Sequence, residues 1–368
     1  MSPPNSFGNH FVVTILGESH GRMVGVALDG VPAGYMIDIE KINVEMARRK
    51  PGQSEVTTSR AEADQVECLS GLYNGKTTGA PVLLVTWNKD ADSSTYEKFK
   101  DILRPGHADF TAMLRYGGFN DYRGSGRFSG RLTAGLVMAG AVASQICNAV
   151  LPITISAHAR EIAGIAYDGK VDARLVRERI ESNPVRCYDP VVAKGMATAI
   201  EQARNDKDSV GGIVECIIDG LPGGLGDPYF SSVESQLSAM MFSIGAVKGI
   251  EFGAGFSAAR MKGSEDNDPY DVDPAKTIHP VTNNAGGILG GITTGAPVVF
   301  RVVIKPTASI TRKQKTVDVS TRKPVDLVYE GRHDPCIVPR AVPVIEHATA
   351  IVVLDLLLGA GIVPRVAR

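Results

Sequence analysis

Two histidines and a set of arginines lie in turns whose shape glycine and proline restrict. Residues 17–21 read GESHG after the apolar FVVTIL and place Ser19 and His20 side by side. Histidine can donate a proton near neutral pH, which a departing phosphate requires. The segment formally fits G-x-S-x-G, the turn that presents a serine nucleophile, but that turn must lead into a helix. Here GRMVGVALDG follows and reads as a strand. A tight strand-to-strand turn is therefore expected, with a hydrolase using Ser19 as the competing reading. RPGHADFT (104–111) holds His107 in a Pro-Gly turn beside Arg104 and Asp109. GRHDPCIVPRAVP (331–343) places Arg332, His333, Asp334 and Arg340 in a proline-restrained stretch. Asp334 suits a base held near a cofactor; an Asp in such a turn also commonly caps its own backbone.

Three further segments suit anions. RRKPGQ (48–53) sets Arg48, Arg49 and Lys50 against a Pro-Gly turn, although a solvated helix end looks the same. DYRGSGRFSGRLTAG (121–135) alternates Arg123, Arg127 and Arg131 with small residues before an apolar helix. Glycines let backbone N–H groups approach a phosphate, and a helix N-terminus favours negative charge. The G-x-G there is no dinucleotide fingerprint, because its third glycine is misplaced, and the chain has no Walker sequence. KPTAS (305–309) ends a strand with a lysine and two hydroxyls. Arginine reads carboxylate and phosphate through paired hydrogen bonds, so these turns together suit a small polyanion.

The elements that must carry these turns repeat along the chain. DGVPAG (29–34) and DGLPGG (219–224) each follow a strand-like run and precede a helical pattern, around 38–49 and 229–244. TTGAPV occurs at 77–82 and 293–298, each time before a strand-like run. The offsets are 190 and 216 residues, so the second copy holds a net insertion of 26, for which the acidic SEDNDPYDVDP (264–274) is the candidate. This pattern predicts two similar α/β halves, about 10–150 and 205–345, arising by duplication, with ligands between them. The acidic stretch lacks the glycine and glutamate spacing of a calcium loop and reads as solvated; no metal site is expected. The basic TRKQKTVDVSTRK is expected to be an exposed loop. Residues 132–151 and 341–363 are long apolar runs, but polar residues inside both favour buried helices over membrane spans.

Composition narrows the class further. With 368 residues, 43% hydrophobic and 21% charged, the chain can bury a sizeable core. A net charge of −1 argues against a general nucleic-acid or membrane-surface binder. Five cysteines, none in a C-x-x-C pair, read as free thiols of a reducing cytosol. The N-terminus lacks a signal-peptide pattern.

GESHG, RRKPG, RPGHAD, DYRGSGR, NAGGILGG (284–291), KPTAS and GRHDPC occur in the order found in the chorismate synthase family, which the sequence resembles from near its start to its C-terminal helix. The resemblance implies an α+β class β-α-β sandwich, one domain over 1–368, assembled as a cytoplasmic homotetramer. It implies conversion of 5-enolpyruvylshikimate 3-phosphate to chorismate and phosphate, a 1,4-anti elimination without net redox change that requires reduced FMN. By motif, His20 resembles the residue that protonates the departing phosphate. His107 resembles the one that stabilises anionic reduced flavin near N1. Asp334 resembles the partner that, with flavin N5, removes the ring proton, and Ser19 and Ser129 resemble supporting hydrogen-bond groups. Flavin contacts would fall on Arg127, Phe128, Ser129, Gly245, Ala246, Gly290, Lys305, Pro306, Thr307, Ala308, Ser309 and Arg332. Substrate anions would fall to Arg48, Arg49, Arg104, Arg131 and Arg340.

The chain departs from the family pattern in places. Phe128 replaces a small polar residue, Leu132 an acid, and Gly245 a frequent Asn. Glu55 stands where a basic residue, associated with nicotinamide binding in some members, is common; NADPH is thus a candidate reductant only. A non-catalytic flavin- or anion-binding relative and a flavin oxidoreductase stay open beside the lyase.

Overall fold

Period-two burial builds the first sheet. β1 (Ser6–Phe7), β2 (Val12–Gly17) and β3 (Met23–Asp29) run antiparallel. Val24, Val26 and Leu28 of β3 are fully buried, as expected of a strand with one face on a core. After the DGVPAG turn comes α1 (Ile39–Arg49), whose N-cap Asp38 accepts from the Glu40 and Lys41 N–H groups. β4 (Glu67–Ser70) and β5 (Val82–Trp87) complete five antiparallel strands in the order β1-β2-β3-β5-β4. α2 (Asp109–Tyr116) and two short 3-10 turns then lead into α3 (Thr133–Asn148). This computed structural model describes residues 4–50, 64–88, 94–329 and 334–367.

The second sheet follows the same path from its central strand onward and differs at one edge, where the outer strand comes after its neighbour in the chain rather than before it. It contains β6 (Thr154–Ile162), β7 (Ile165–Ala166), β8 (Gly212–Asp219), β9 (Val247–Phe252) and β10 (Val298–Ile304), in the order β7-β6-β8-β10-β9. DGLPGG ends β8 and leads to α4 (Val233–Ser243), as DGVPAG ends β3 and leads to α1. TTGAPV enters β10 as it enters β5. The extra length of the second half lies between β9 and β10. There the acidic stretch forms a one-turn helix (Gly263–Asp266) and one strand of an exposed hairpin, Tyr270–Val272 against Ile278–Pro280. The basic segment expected as a loop is instead a hairpin, Gln314–Asp318 against Lys323–Leu327. Asp318 accepts from the Ser320 and Thr321 N–H groups, and this local turn outweighs the run of surface charge.

Helices fill the space between the sheets. α3 packs on β2 and β3; α5 (Val338–Gly359) packs on β6 and β8; α3 and α5 pack on each other. Both long apolar runs are therefore core helices. α5 is long and apolar enough to cross a membrane, yet 94% of its most apolar window is buried inside the protein. The α3–α5 crossing is close: a Cβ on Gly140 would lie 2.1 Å from the His347 carbonyl oxygen. Glycine is required there because the helix backbones nearly touch. α5 also anchors the N-terminal segment. Asp355 Oδ1 accepts from the N–H groups of Asn9, His10 and Phe11 at 2.9, 2.6 and 2.7 Å, satisfying donors that burial would otherwise strand.

The five cysteines are unpaired, and all but Cys68 are buried. Gly140→Ala is expected to force α3 and α5 apart and to cost about 1–3 kcal/mol, the usual range for overpacking a core. Urea denaturation reads this directly, and an unchanged midpoint would show that the crossing can relax.

Candidate active site

The GESHG turn joins β2 to β3, strand to strand. It is not a nucleophile elbow, and the hydrolase reading loses its structural basis. The Ser19 N–H donates to the Gly126 carbonyl at 3.2 Å, and the Gly21 N–H to that of Glu18 at 3.1 Å. The Asn88 side chain donates to the carbonyls of Glu18, Ser19 and Gly21 at 3.3, 3.1 and 2.8 Å. Ser19 is 2% and His20 7% exposed. The His20 ring meets Tyr96 edge-on at 5.1 Å, and its Nδ1 lies 3.3 Å from Ser19 Oγ. Gly124, at φ +55°, packs under the imidazole; a Cβ there would lie 2.0 Å from His20 Nδ1. No other residue fits that position without moving the histidine.

The RPGHAD turn is organised by Asp109, the first residue of α2. Its Oδ1 takes His107 Nδ1 and Arg104 Nη2, each at 2.7 Å, and its Oδ2 takes Arg104 Nε at 2.8 Å. Burial alone would raise the Asp109 carboxyl; the hydrogen bonds from His107 and Arg104 outweigh it and hold the group well below the usual carboxylate range. With Nδ1 directed at Asp109, His107 is left with Nε2 as its free-facing ring nitrogen. Arg104 also donates to Ser125 Oγ at 3.0 Å and stacks over Tyr329 at 5.2 Å. Burial pushes the Tyr329 hydroxyl up to about 12.

The remaining cations are clamped in the same manner. Asp64 is buried and bridges two arginines: Oδ2 accepts from Arg49 Nη2 at 2.8 Å and Oδ1 from Arg131 Nη1 at 2.9 Å. Arg340 is paired with Asp334 and donates to the Arg49 carbonyl at 3.2 Å. Arg127 donates to the Tyr116 hydroxyl at 2.9 Å and to Asn5. Phe128 is 39% exposed, with its ring 6.3 Å from that of Tyr116. Ser129 Oγ accepts from the Arg131 N–H at 3.3 Å. From the second half, Lys305 reaches across to the Gly106 carbonyl at 2.7 Å. Burial, then the neighbouring Lys248, lowers the Lys305 pKa. Thr307 Oγ1 is buried with no hydrogen-bond partner. Gly245 faces open space, where a Cβ would meet nothing within 4 Å.

These groups line one cleft of about 1720 Å³, built from both halves of the chain. That exceeds the 300–1,000 Å³ usual for a single small ligand, so there is room for a substrate and a cofactor together. Of the residues expected from sequence, the cleft gathers Ser19, His20, Arg49, Arg104, His107, the run Arg127–Ser129, Arg131, Gly245, Ala246, the run Lys305–Ser309, Asp334 and Arg340. Two expected contacts, Gly290 and Arg48, do not join it, and a third cannot be placed. Arg332, like Glu55, lies outside the described residues. Gly290 sits exposed in the Ile288–Leu289/Ile292–Thr293 hairpin, away from the cleft. Arg48 is turned into the core, where Glu346 takes Nη1 at 2.6 Å, Glu181 takes Nε at 2.6 Å, and Glu45 lies at 2.8 Å. Adjacent residues of a helix point about 100° apart, so only one of the two arginines can face the cleft. Sequence reading passed over Asp64, Asn88, Tyr96, Lys248 and Tyr329 as site residues. Asp109 carried a signal, because it shares a turn with His107; the others meet the site only through the fold.

Known proteins match this chain over its whole length. A protein-family model described as chorismate synthase matches residues 11–358. A chorismate synthase of Dehalococcoides mccartyi is 50% identical over 365 residues, covering 99% of each chain. One of Methanococcoides burtonii is 48% identical, covering 98% of this chain and 97% of its own. A crystal structure of a chorismate synthase superposes with a TM-score of 0.76 at 28% identity, covering 96% of this chain and 93% of that one.

The buried charge networks set the response to acid. Burial alone would raise the Glu45 carboxyl; His347, Arg48 and Arg177 outweigh it and hold it at about 2. Glu215 of β8 is likewise held at about 2 against burial, by hydrogen bonds from His158 and Arg301 and the charges of His158 and Arg160. Carboxyls depressed in the folded state stabilise it fully above their unfolded value, near 4.3, and lose that contribution as pH falls through the folded value. Urea midpoints should therefore fall between about pH 5 and about pH 2. The double variant Glu45→Gln/Glu215→Gln should fall less steeply, and equal slopes would contradict the assignment.

Proposed function

The chain belongs to the chorismate synthase family, and from that premise we propose that it catalyses the 1,4-anti elimination of phosphate from 5-enolpyruvylshikimate 3-phosphate, giving chorismate with reduced FMN bound. This is the seventh step of the shikimate pathway, and the enzyme is a carbon–oxygen lyase. The observation that carries the reading is the cleft. Arginines 49, 104, 127, 131 and 340, lysines 248 and 305, and two ordered histidines converge on a space large enough for two ligands.

Flavin fits the residues present. The Arg127–Ser129 turn, Gly245–Ala246 and the Lys305–Ser309 segment would hold it, with Phe128 as an apolar wall. Reduced flavin, when bound, lends electron density transiently as phosphate leaves, and the reaction closes without net redox change. The chain supplies position, charge and protons. Arg49, Arg131 and Arg340 hold the substrate's anionic groups, and Arg104 is a further cation at the cleft wall. His20, supported by Ser19, donates a proton to the departing phosphate. His107, fixed through Nδ1 by Asp109, would leave Nε2 for a contact with the reduced flavin. Asp334, paired with Arg340, accepts the ring proton.

A cytoplasmic homotetramer belongs to the same reading. Phe119, Tyr229 and Phe230 are almost fully exposed, apolar surface of the kind an assembly covers. The unpaired cysteines suit a reducing compartment.

An anaerobic assay with the enolpyruvyl phosphate ester and chemically reduced FMN tests the reaction. Chorismate absorbance and free phosphate should rise together, and only with reduced flavin. Binding of both ligands without product would identify a non-catalytic relative, with Phe128 and Leu132 the first residues to revert. NADPH in place of the chemical reductant shows whether the chain reduces its own flavin. His20→Ala and His107→Ala should each leave the circular dichroism spectrum intact and lower turnover by about a hundredfold or more. Normal turnover in either variant removes that histidine from the mechanism.

A further inference from the structure

We propose that Asn88 is a positioning residue that fixes the proton-donating turn relative to the anion-binding arginines; the proposal rests on the lyase reading above. Asn88 stands at the end of β5 and is not among the residues lining the cleft. Its backbone N–H donates to the Arg22 carbonyl at 3.1 Å, holding it against the far end of the GESHG turn. Its side-chain amide nitrogen faces the carbonyls of Glu18, Ser19 and Gly21. Its Oδ1 accepts from Arg131 Nε at 2.7 Å.

Chemistry settles the orientation of that amide. Carbonyls only accept and a guanidinium only donates, so a flipped amide would oppose all four partners. No other side chain of this size serves both. Aspartate keeps an acceptor for Arg131 but sets negative charge against three carbonyl oxygens. Alanine keeps neither contact. Arg131 is in turn held by Asp64, which also holds Arg49. One side chain therefore ties the backbone on both sides of His20 to a pair of guanidinium groups. For a leaving phosphate, the spacing between proton donor and anion site decides how well the transition state is met, and a displacement of about 1 Å can cost about a hundredfold.

A double-mutant cycle tests this on the full chain with reduced FMN. Asn88→Ala should lower kcat by about ten- to a hundredfold and raise KM, because both the turn and Arg131 are released. Asn88→Asp should lower kcat while KM stays within about threefold, since the Arg131 contact survives. In a His20→Ala background, Asn88→Ala should cost less than about threefold in kcat, because the group it positions is gone. Equal losses in both backgrounds, or wild-type kcat in Asn88→Asp, would overturn the proposal. If Asn88→Ala does not fold, Asn88→Ser takes its place in the cycle. A wild-type chain without turnover would sink the lyase reading itself. The positioning claim is then judged by the imidazole NMR signals of His20, identified with His20→Ala. Movement of those signals in the Asn88 variant supports it, and unmoved signals overturn it.

Discussion

Gathering many cations around one space, without letting them repel one another apart, is the constraint that the rest of the molecule serves. The fold meets it with shared carboxylates. Asp64 holds Arg49 and Arg131, Asp109 holds Arg104 and His107, and Asp334 holds Arg340. Each clamp uses one edge of a guanidinium and fixes the direction of the rest. A buried ion pair contributes little net stability, but a fixed pair defines geometry. Here the geometry is a cleft lined by cations and prepared before any anion arrives.

That arrangement depends on how the layers are assembled. Two five-stranded antiparallel sheets, alike in their three later strands, enclose α3 and α5, and the cleft draws on the turns and segments that leave both halves. The GESHG turn comes from the first sheet and the KPTAS segment from the second. Lys305 crosses between them to the Gly106 carbonyl. The close crossing at Gly140 and the Asp355 anchor hold the helical layer and the N-terminal segment in register, so the cleft walls are set by the packed core.

Arg48 and Arg49 show how finely position divides roles. Both end α1, and both are buried. Arg49 joins Asp64 at the cleft, while Arg48 enters a network with Glu45, Glu181 and Glu346. Burial keeps the neighbouring His347 below its ordinary value, against the pull of Glu45 and Glu346. One helical step separates a cation at the cleft wall from one inside the core.

Much of this was legible in the residues. Short apolar runs marked β2 and β3, the long apolar run marked α3, and glycine and proline marked the turns that carry Ser19, His20, His107 and Asp334. These features are local, written in neighbours a few positions apart. The repeated DGxPxG segments follow β3 and β8, and the repeated TTGAPV segments lead into β5 and β10. What the chain alone left undecided was partnership across long separations. Asn88 meets Arg131 from 43 positions away, Arg104 meets Ser309 from 205, and Arg48 meets Glu346 from 298. Whether an arginine faces an anion or a glutamate depends on which side of a helix or strand faces the core. Only packing decides that, because a side chain's direction follows its element while its partner comes from whichever element the fold sets against it.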